Sequence, residues 1–295
     1  MSHLFCFGLG YSGQVIGNLL QTQGWKVSGT TRDITSKVRL EQDGFTMHLF
    51  DDDHHISPDI LNDVSHVLLS IPPGEAGDLV FLQYGNELAA RAENIEWVGY
   101  LSTTGVYGDR QGEWVDENSP LTPSTKRGEK RLKAETDWLS LYESNNLPVH
   151  LFRLAGIYGP DSNQLEKVAA GTAKRRRKPG QVFSRIHVED IAGIVIASMK
   201  KPNPGQAYNV CDDEAAPPQD VVTFAAHLLN MEPPPEVMFD PKDMSAMGLS
   251  FFAESKRVSN EKVKSELGYV FKYPTYREGL KALLPTVTHT VTHRA

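Results

Sequence analysis

Leu4-Phe5-Cys6-Phe7 runs without interruption into Gly8-Leu9-Gly10-Tyr11-Ser12-Gly13, and Val15, Ile16, Leu19 and Leu20 then recur on one stripe of a helical pattern. A short apolar strand, three glycines at G-x-G-x-x-G spacing and an amphipathic helix form a strand–turn–helix unit in which each glycine has a physical task. The first makes a tight turn, the second lets the main chain approach a pyrophosphate, and the third lets helix and strand pack closely. The free N–H groups and positive dipole end of the helix complete a phosphate cradle. Gly8, Gly10, Tyr11, Ser12 and Gly13 are therefore read as cofactor-binding residues, and the cofactor as a dinucleotide.

The next strand decides which dinucleotide. Gly24 ends the helix, and Trp25 to Thr30 reads as a second strand followed by Thr31-Arg32-Asp33. An acid at the strand's end would bind a ribose 2′-hydroxyl, whereas an arginine would accommodate a 2′-phosphate. Thr31 stands where the acid is sought and Arg32 follows it, so NADP is expected; Asp33 keeps NAD open.

Strand-like Phe45–Phe50 precedes Asp51, buried-looking Val67–Ile71 ends at Pro72-Pro73-Gly74, a helix is expected around Tyr84–Ala92, and Trp97–Ser102 forms the fifth strand. Apolar strands separated by helical segments imply an α/β, Rossmann-type doubly wound parallel sheet with right-handed crossovers and ligands outside the carboxyl ends of the strands. Asp51, Ser70, Ile71, Pro72 and Ser102 are accordingly assigned to the cofactor. The hydroxyls of Thr103 and Thr104 sit where they can bond a substrate oxygen, although strand-end hydroxyls also commonly satisfy backbone. Further on come a charged helix from Lys126 to Tyr142, a strand from Pro148 to Leu154, an apolar helix from Ile191 to Met199, a strand from Ala207 to Val210, and helices Gln219–Leu229, Asn260–Leu267 and Tyr276–Leu283. The basic run Lys174-Arg175-Arg176-Arg177-Lys178 reads equally as a solvated helix end and loop or as a cradle for an anionic substrate. Residues 1–159, with 184–210 returning to them, are expected to form the dinucleotide-binding core. Residues 160–183 and 211–285 would build a smaller C-terminal substrate lobe, and 286–295 a frayed tail.

Composition excludes several classes. The 295 residues carry 30 Lys and Arg against 37 Asp and Glu, a net charge of −7, which argues against nucleic acid as a partner. Cys6 and Cys211 have neither disulfide-framework nor metal-site spacing, so no metal is expected. With no basic leader and no apolar run long enough for a bilayer, the expectation is a cytoplasmic protein without a membrane partner.

In these blocks the chain resembles the extended short-chain dehydrogenase/reductase superfamily, of the NAD-dependent epimerase/dehydratase type. The likeness extends to about Leu283. It rests on Gly8–Gly13, on Ser102–Gly108 (similar to S-S-x-x-V-Y-G), on Arg153–Pro160 (similar to R-x-x-x-I-Y-G-P), on Ile186–Asp190, on Tyr208–Val210, and on Leu267-Gly268 with Tyr273-Pro274. The resemblance implies a Ser/Thr that binds the reacting oxygen, a Tyr that moves the hydroxyl proton, and a Lys that tunes the Tyr and holds the ribose. Thr103 matches the first. The K-L-x-x-E block that should carry the Lys reads Arg131-Leu132-Lys133-Ala134-Glu135, so Arg131 holds the Lys position and Arg127 the Tyr position. The chain is thus identified as a divergent member lacking the Tyr-x-x-x-Lys pair. An arginine stays protonated and is a poor proton shuttle. Tyr107 or His187 could substitute, though Tyr107 sits at a strand–loop turn where a structural role is expected.

The resemblance therefore implies an NAD(P)-dependent oxidoreductase or epimerase acting on a small or nucleotide-linked carbonyl or hydroxyl substrate. Thr103, Arg127 and Arg131 would stand at the catalytic positions, with Thr104, Tyr107, Arg175 and Arg185 toward the substrate. The alternatives are an inactive NADP-binding sensor or scaffold, which the two arginines permit, and a sugar-nucleotide dehydratase, for which Thr104-Gly105 lacks the acidic pair. The family's habit of pairing through two helices implies a homodimer.

Overall fold

The computed structural model describes residues 1–292. In chain order the elements are β1 (His3–Phe7), α1 (Tyr11–Thr22), β2 (Lys26–Thr31), α2 (Ile34–Gln42), β3 (Thr46–Leu49), β4 (His66–Leu69), α3 (Leu79–Ala90), β5 (Trp97–Thr103), β6 (Trp114–Val115), α4 (Lys126–Asn145), β7 (Val149–Leu154), β8 (Gly156–Tyr158), α5 (Gln164–Ala169), β9 (Arg175–Arg177), β10 (Arg185–His187), α6 (Val188–Lys200), β11 (Ala207–Val210), α7 (Pro218–Leu228), β12 (Glu236–Met238), α8 (Ala246–Phe252), β13 (Arg257–Val258) and α9 (Tyr276–Thr292). Seven strands form one sheet in the order β11-β7-β5-β4-β1-β2-β3. The pairings from β3 through β2, β1 and β4 to β5 are all parallel. The doubly wound Rossmann-type sheet read from the alternation of apolar runs is the one observed, because fully buried strands such as β1 and β4 need helices over both faces.

The chain divides into two compact units. The first comprises residues 1–106, 126–153 and 191–208. In one of its cores Phe5, Phe7, Val67, Leu69, Val98 and Tyr100 from the strands meet Tyr84 and Leu88 of α3 and Trp138 of α4. Burying a large apolar side chain contributes roughly 1.5–3 kcal/mol, so this layer dominates the unit's stability.

The second unit comprises 107–125, 154–190 and the residues from 209 onward. Its core joins Leu165 and Val168 of α5, Val222 and Ala225 of α7, and Tyr276, Leu280 and Val287 of α9. Three short parallel pairs, β8 with β10, β9 with β12 and β6 with β13, tie its segments together.

Three features differ from the sequence expectation. Residues 107–125, 154–159, 184–190 and 209–210, expected in the core, group with the second unit, because β6 pairs with β13, β8 pairs with β10, Lys256 Nζ donates to the Gly108 carbonyl (2.7 Å) and Ser255 N donates to Asp109 Oδ1 (2.8 Å). The basic run contains a strand, β9, because Glu236–Met238 supplies it with a main-chain partner. Finally, α9 continues past Pro285 to Thr292: Leu283 and Val287 are buried, and their packing offsets the hydrogen bond a proline removes. The last three residues of the expected frayed tail lie outside the described residues.

Candidate functional site

The glycine turn lies where strand order reverses, between β1 and β4, the place at which open α/β sheets leave a crevice. Gly8 has φ +85°, and a Cβ there would lie 2.8 Å from Ile71 Cγ1, just beyond β4. Its N–H donates to Thr30 Oγ1 (2.8 Å), and Leu9 N donates to the Thr30 carbonyl (2.8 Å), so the end of β2 fixes the turn. A Cβ on Gly13 would meet Cys6 Sγ at 3.1 Å, which accounts for the close approach of α1 to β1. At Gly10 the nearest atom to such a Cβ is the Gly8 carbonyl oxygen at 3.9 Å, so this position is open. Gly10 is also the N-cap of α1 and supplies no side-chain cap. A helix beginning bare behind an open glycine fits a pyrophosphate, whose oxygens would take the N–H groups of Tyr11, Ser12 and Gly13.

At the end of β2, Thr31 Oγ1 accepts from Asp33 N (3.3 Å). The Asp33 carboxylate caps α2 by accepting from Ser36 N at 2.6 Å, and this bond holds its pKa below the usual carboxylate value. Arg32 is exposed and has no hydrogen bond or ion pair among the described residues. Asp51 spends Oδ1 on its own turn, accepting from Asp53 N (2.9 Å), His54 N (2.8 Å) and the His54 ring (2.8 Å). Those bonds, the His54 ring first, lower its pKa.

The carboxyl end of β5 is locked to α4. Ser102, expected to face the cofactor, instead directs its hydroxyl into the protein, donating to Glu135 Oε1 at 2.5 Å. Glu135 also accepts from Arg153 Nε (3.2 Å to each oxygen) and Nη2 (2.9 Å). All three residues are at most 5% exposed. Arg131, at the family's Lys position, is turned back onto the sheet: Nη1 donates to the Leu101 carbonyl (2.6 Å) and the Tyr100 hydroxyl (3.1 Å). Arg127 is exposed and has no hydrogen bond or ion pair among the described residues. Desolvation by its surroundings, and then the charge of Arg131, lower its pKa from the ordinary arginine value. Thr103 Oγ1 accepts from Gly105 N (3.1 Å), which leaves the hydroxyl proton available to a ligand oxygen. Thr104 is half-buried and opens a 3-10 turn, Thr104–Tyr107.

In the second unit the remaining expected residues have internal partners. Tyr107 is fully buried and donates to Asn209 Oδ1 at 2.7 Å, a bond that explains the residue structurally. His187, the other alternative proton carrier, is 1% exposed; burial pushes its pKa down to about 4, and Nδ1 accepts from Glu189 N (3.2 Å). Arg175 and Arg177 approach Glu236 (3.9 and 3.4 Å). Arg185 donates to the carbonyls of Phe183 (2.9 Å) and Ala216 (3.1 Å) and stacks near Tyr276. Glu135 and Arg153 stand in the sequence only as family markers; their opposite charges are the signal of a buried pair.

The chain is similar to several known proteins. The model of the family described as "NAD dependent epimerase/dehydratase family" matches residues 87–211. Protein YeeZ of Escherichia coli K12 is 30% identical over 287 residues, covering 93% of this chain and 97% of that protein. A functionally unknown conserved protein from Silicibacter pomeroyi DSS is 47% identical in structure-based comparison, with TM-score 0.89 and coverage of 97% and 99% of the two chains. UDP-glucuronic acid 4-epimerase of Bacillus cereus, solved in complex with NAD, shares the fold at TM-score 0.78 and 17% identity, covering 99% of this chain and 100% of its own. Among the described residues no helix is long and apolar enough to cross a membrane.

Proposed function

The chain belongs to the NAD-dependent epimerase/dehydratase family of extended short-chain dehydrogenases/reductases, and from that premise we propose that it is an NADP-preferring oxidoreductase or epimerase working without the family's Tyr and Lys. Its substrate is a small or nucleotide-linked carbonyl or hydroxyl compound. The observation that carries the reading is the glycine turn, with Gly8 in a left-handed conformation, Gly10 open and α1 uncapped. A bound nicotinamide supplies hydride exchange. The protein's part is to hold the pyrophosphate at Gly8–Gly13 and to offer the Thr103 hydroxyl to the reacting oxygen. NADP preference is supported by Thr31 in the acid's place, by Asp33 being engaged as the cap of α2, and by Arg32 being free to take a 2′-phosphate.

A second reading, a sensor that binds the dinucleotide without turnover, is favoured by one feature: Arg131 is bonded to β5 and is not extended toward a ribose. Turnover separates the two. The purified protein is screened against carbonyl and nucleotide-sugar panels while NADPH absorbance and sugar configuration are followed. The enzyme reading expects oxidation or epimerisation with at least one member, abolished or strongly reduced in Thr103→Val. Tight NADPH binding with neither reaction across the panel would establish the sensor.

A further inference from the structure

We propose that the position at which the family keeps its acid/base tyrosine is, in this chain, a receptor for a substrate carboxylate, with Arg127 as the residue that recognises it. The inference rests on the dinucleotide reading above and deepens it by naming the substrate class.

Placement comes first. Arg131 and Glu135 share one face of α4, and both meet the end of β5, the first at the Leu101 carbonyl and the second at Ser102 Oγ. Residues four apart lie on one helix face, so Arg127 continues that face by about 6 Å toward the helix start. A crossover helix begins at the carboxyl edge of the strand it succeeds. The first turn of α4 therefore belongs to the edge at which β5 ends in Thr103.

Charge singles out the same residue. Lys130 pairs with Glu75, Lys133 with Asp137 (2.6 Å), and Arg131 is bonded to main chain and Tyr100. Among the described residues Arg127 has no such partner, and a like charge, Arg131, stands one turn away. The downward pull on its pKa has no acid opposing it, yet a guanidinium remains protonated at neutral pH. An unpaired fork of donors near the end of β5 matches a carboxylate, which it can bind bidentately. Four of the five cations of the basic run are engaged elsewhere: Arg176 donates to the Asp243 carbonyl (3.2 Å), Lys178 to the Phe252 carbonyl (2.5 Å), and Arg175 and Arg177 face Glu236. The Thr103 hydroxyl keeps its proton for the neighbouring substrate oxygen. A substrate with a carboxylate beside its carbonyl or hydroxyl carbon carries the two groups that these donors recognise.

Matched pairs of small probes test this by calorimetry on NADPH-saturated protein: oxamate against oxamide, and benzoate against benzamide. A charge-assisted pair predicts that the carboxylate member of at least one pair binds about tenfold or more tightly than its amide. Arg127→Gln should abolish that preference and Arg127→Lys should retain part of it. Equal binding of acid and amide, binding of neither, or a preference that survives Arg127→Gln would overturn the proposal. NADPH affinity is measured first in every variant. Failure at that step sinks the cofactor reading, whereas normal NADPH binding with no carboxylate preference sinks only the role of Arg127.

Discussion

Replacing Arg153 by methionine should destabilise the first unit far more than a surface change would. Glu135 is 2% exposed and receives the Ser102 hydroxyl at 2.5 Å and three contacts from Arg153 at 2.9–3.2 Å. Arg153→Met keeps most of the side-chain volume but leaves a buried carboxylate with a single hydroxyl partner. Removing one member of a buried ion pair typically costs about 3–5 kcal/mol. Ser102→Ala, which removes one hydrogen bond to a charged group, should cost about 1.5–3 kcal/mol. Glu135→Leu combined with Arg153→Met removes both charges together and should cost clearly less than the sum of the singles, because most of each single penalty is the stranded partner. Urea unfolding followed by tryptophan fluorescence reads this directly, since Trp138 is buried on α4 three residues from Glu135. A loss below about 1 kcal/mol for Arg153→Met, or strict additivity in the double variant, would refute the view that this pair fixes α4 against β5.

Two other perturbations address the pH range and the glycine turn. His150 and His187 have pKa values pushed down to about 4 by burial. His150 Nε2 accepts from Asn203 N (3.0 Å) and Nδ1 lies against the Val98 carbonyl (3.2 Å), so protonation would remove an acceptor. Because the folded values lie below the unfolded value near 6.5, the unfolded chain binds more protons between the two. Stability is therefore intact above about pH 6.5 and falls as pH drops toward 4, by roughly 3 kcal/mol per histidine. Denaturant midpoints that stay constant from pH 7 to pH 4.5 would contradict this. Gly8→Ala places a Cβ 2.8 Å from Ile71 Cγ1 on a residue with φ +85°. It should cost about 1–3 kcal/mol and weaken NADPH binding, and unchanged NADPH affinity would remove Gly8 from the cradle.

Local spacing is the part of this molecule that is legible in its sequence. The glycine turn is six consecutive residues whose roles derive from backbone sterics, and the parallel, helix-covered sheet derives from the alternation of apolar runs. The arginines at the Tyr and Lys positions were visible as departures from a pattern. Their different fates were not, because Arg131 finds the Leu101 carbonyl 30 residues away while Arg127 finds no hydrogen-bond or ion-pair partner among the described residues. Ser102 read as a ligand-edge hydroxyl; its bond to Glu135 spans 33 residues and exists only once α4 is docked. The Tyr107 hydroxyl is settled by Asn209, 102 residues on, and the basic run became a strand through Glu236–Met238, which no local pattern ties to it. Local stereochemistry thus announced the glycine turn, while long-range pairing decided which polar side chains are spent on internal partners.

The central claim is that this cradle takes NADP through Gly8–Gly13 and Arg32. Isothermal titration of NADPH and NADH into the wild-type protein and Arg32→Ala tests it most directly. The account predicts one NADPH per chain, bound more tightly than NADH, with Arg32→Ala weakening NADPH while leaving NADH nearly unchanged. Absence of binding, or equal loss for both dinucleotides, would contradict it.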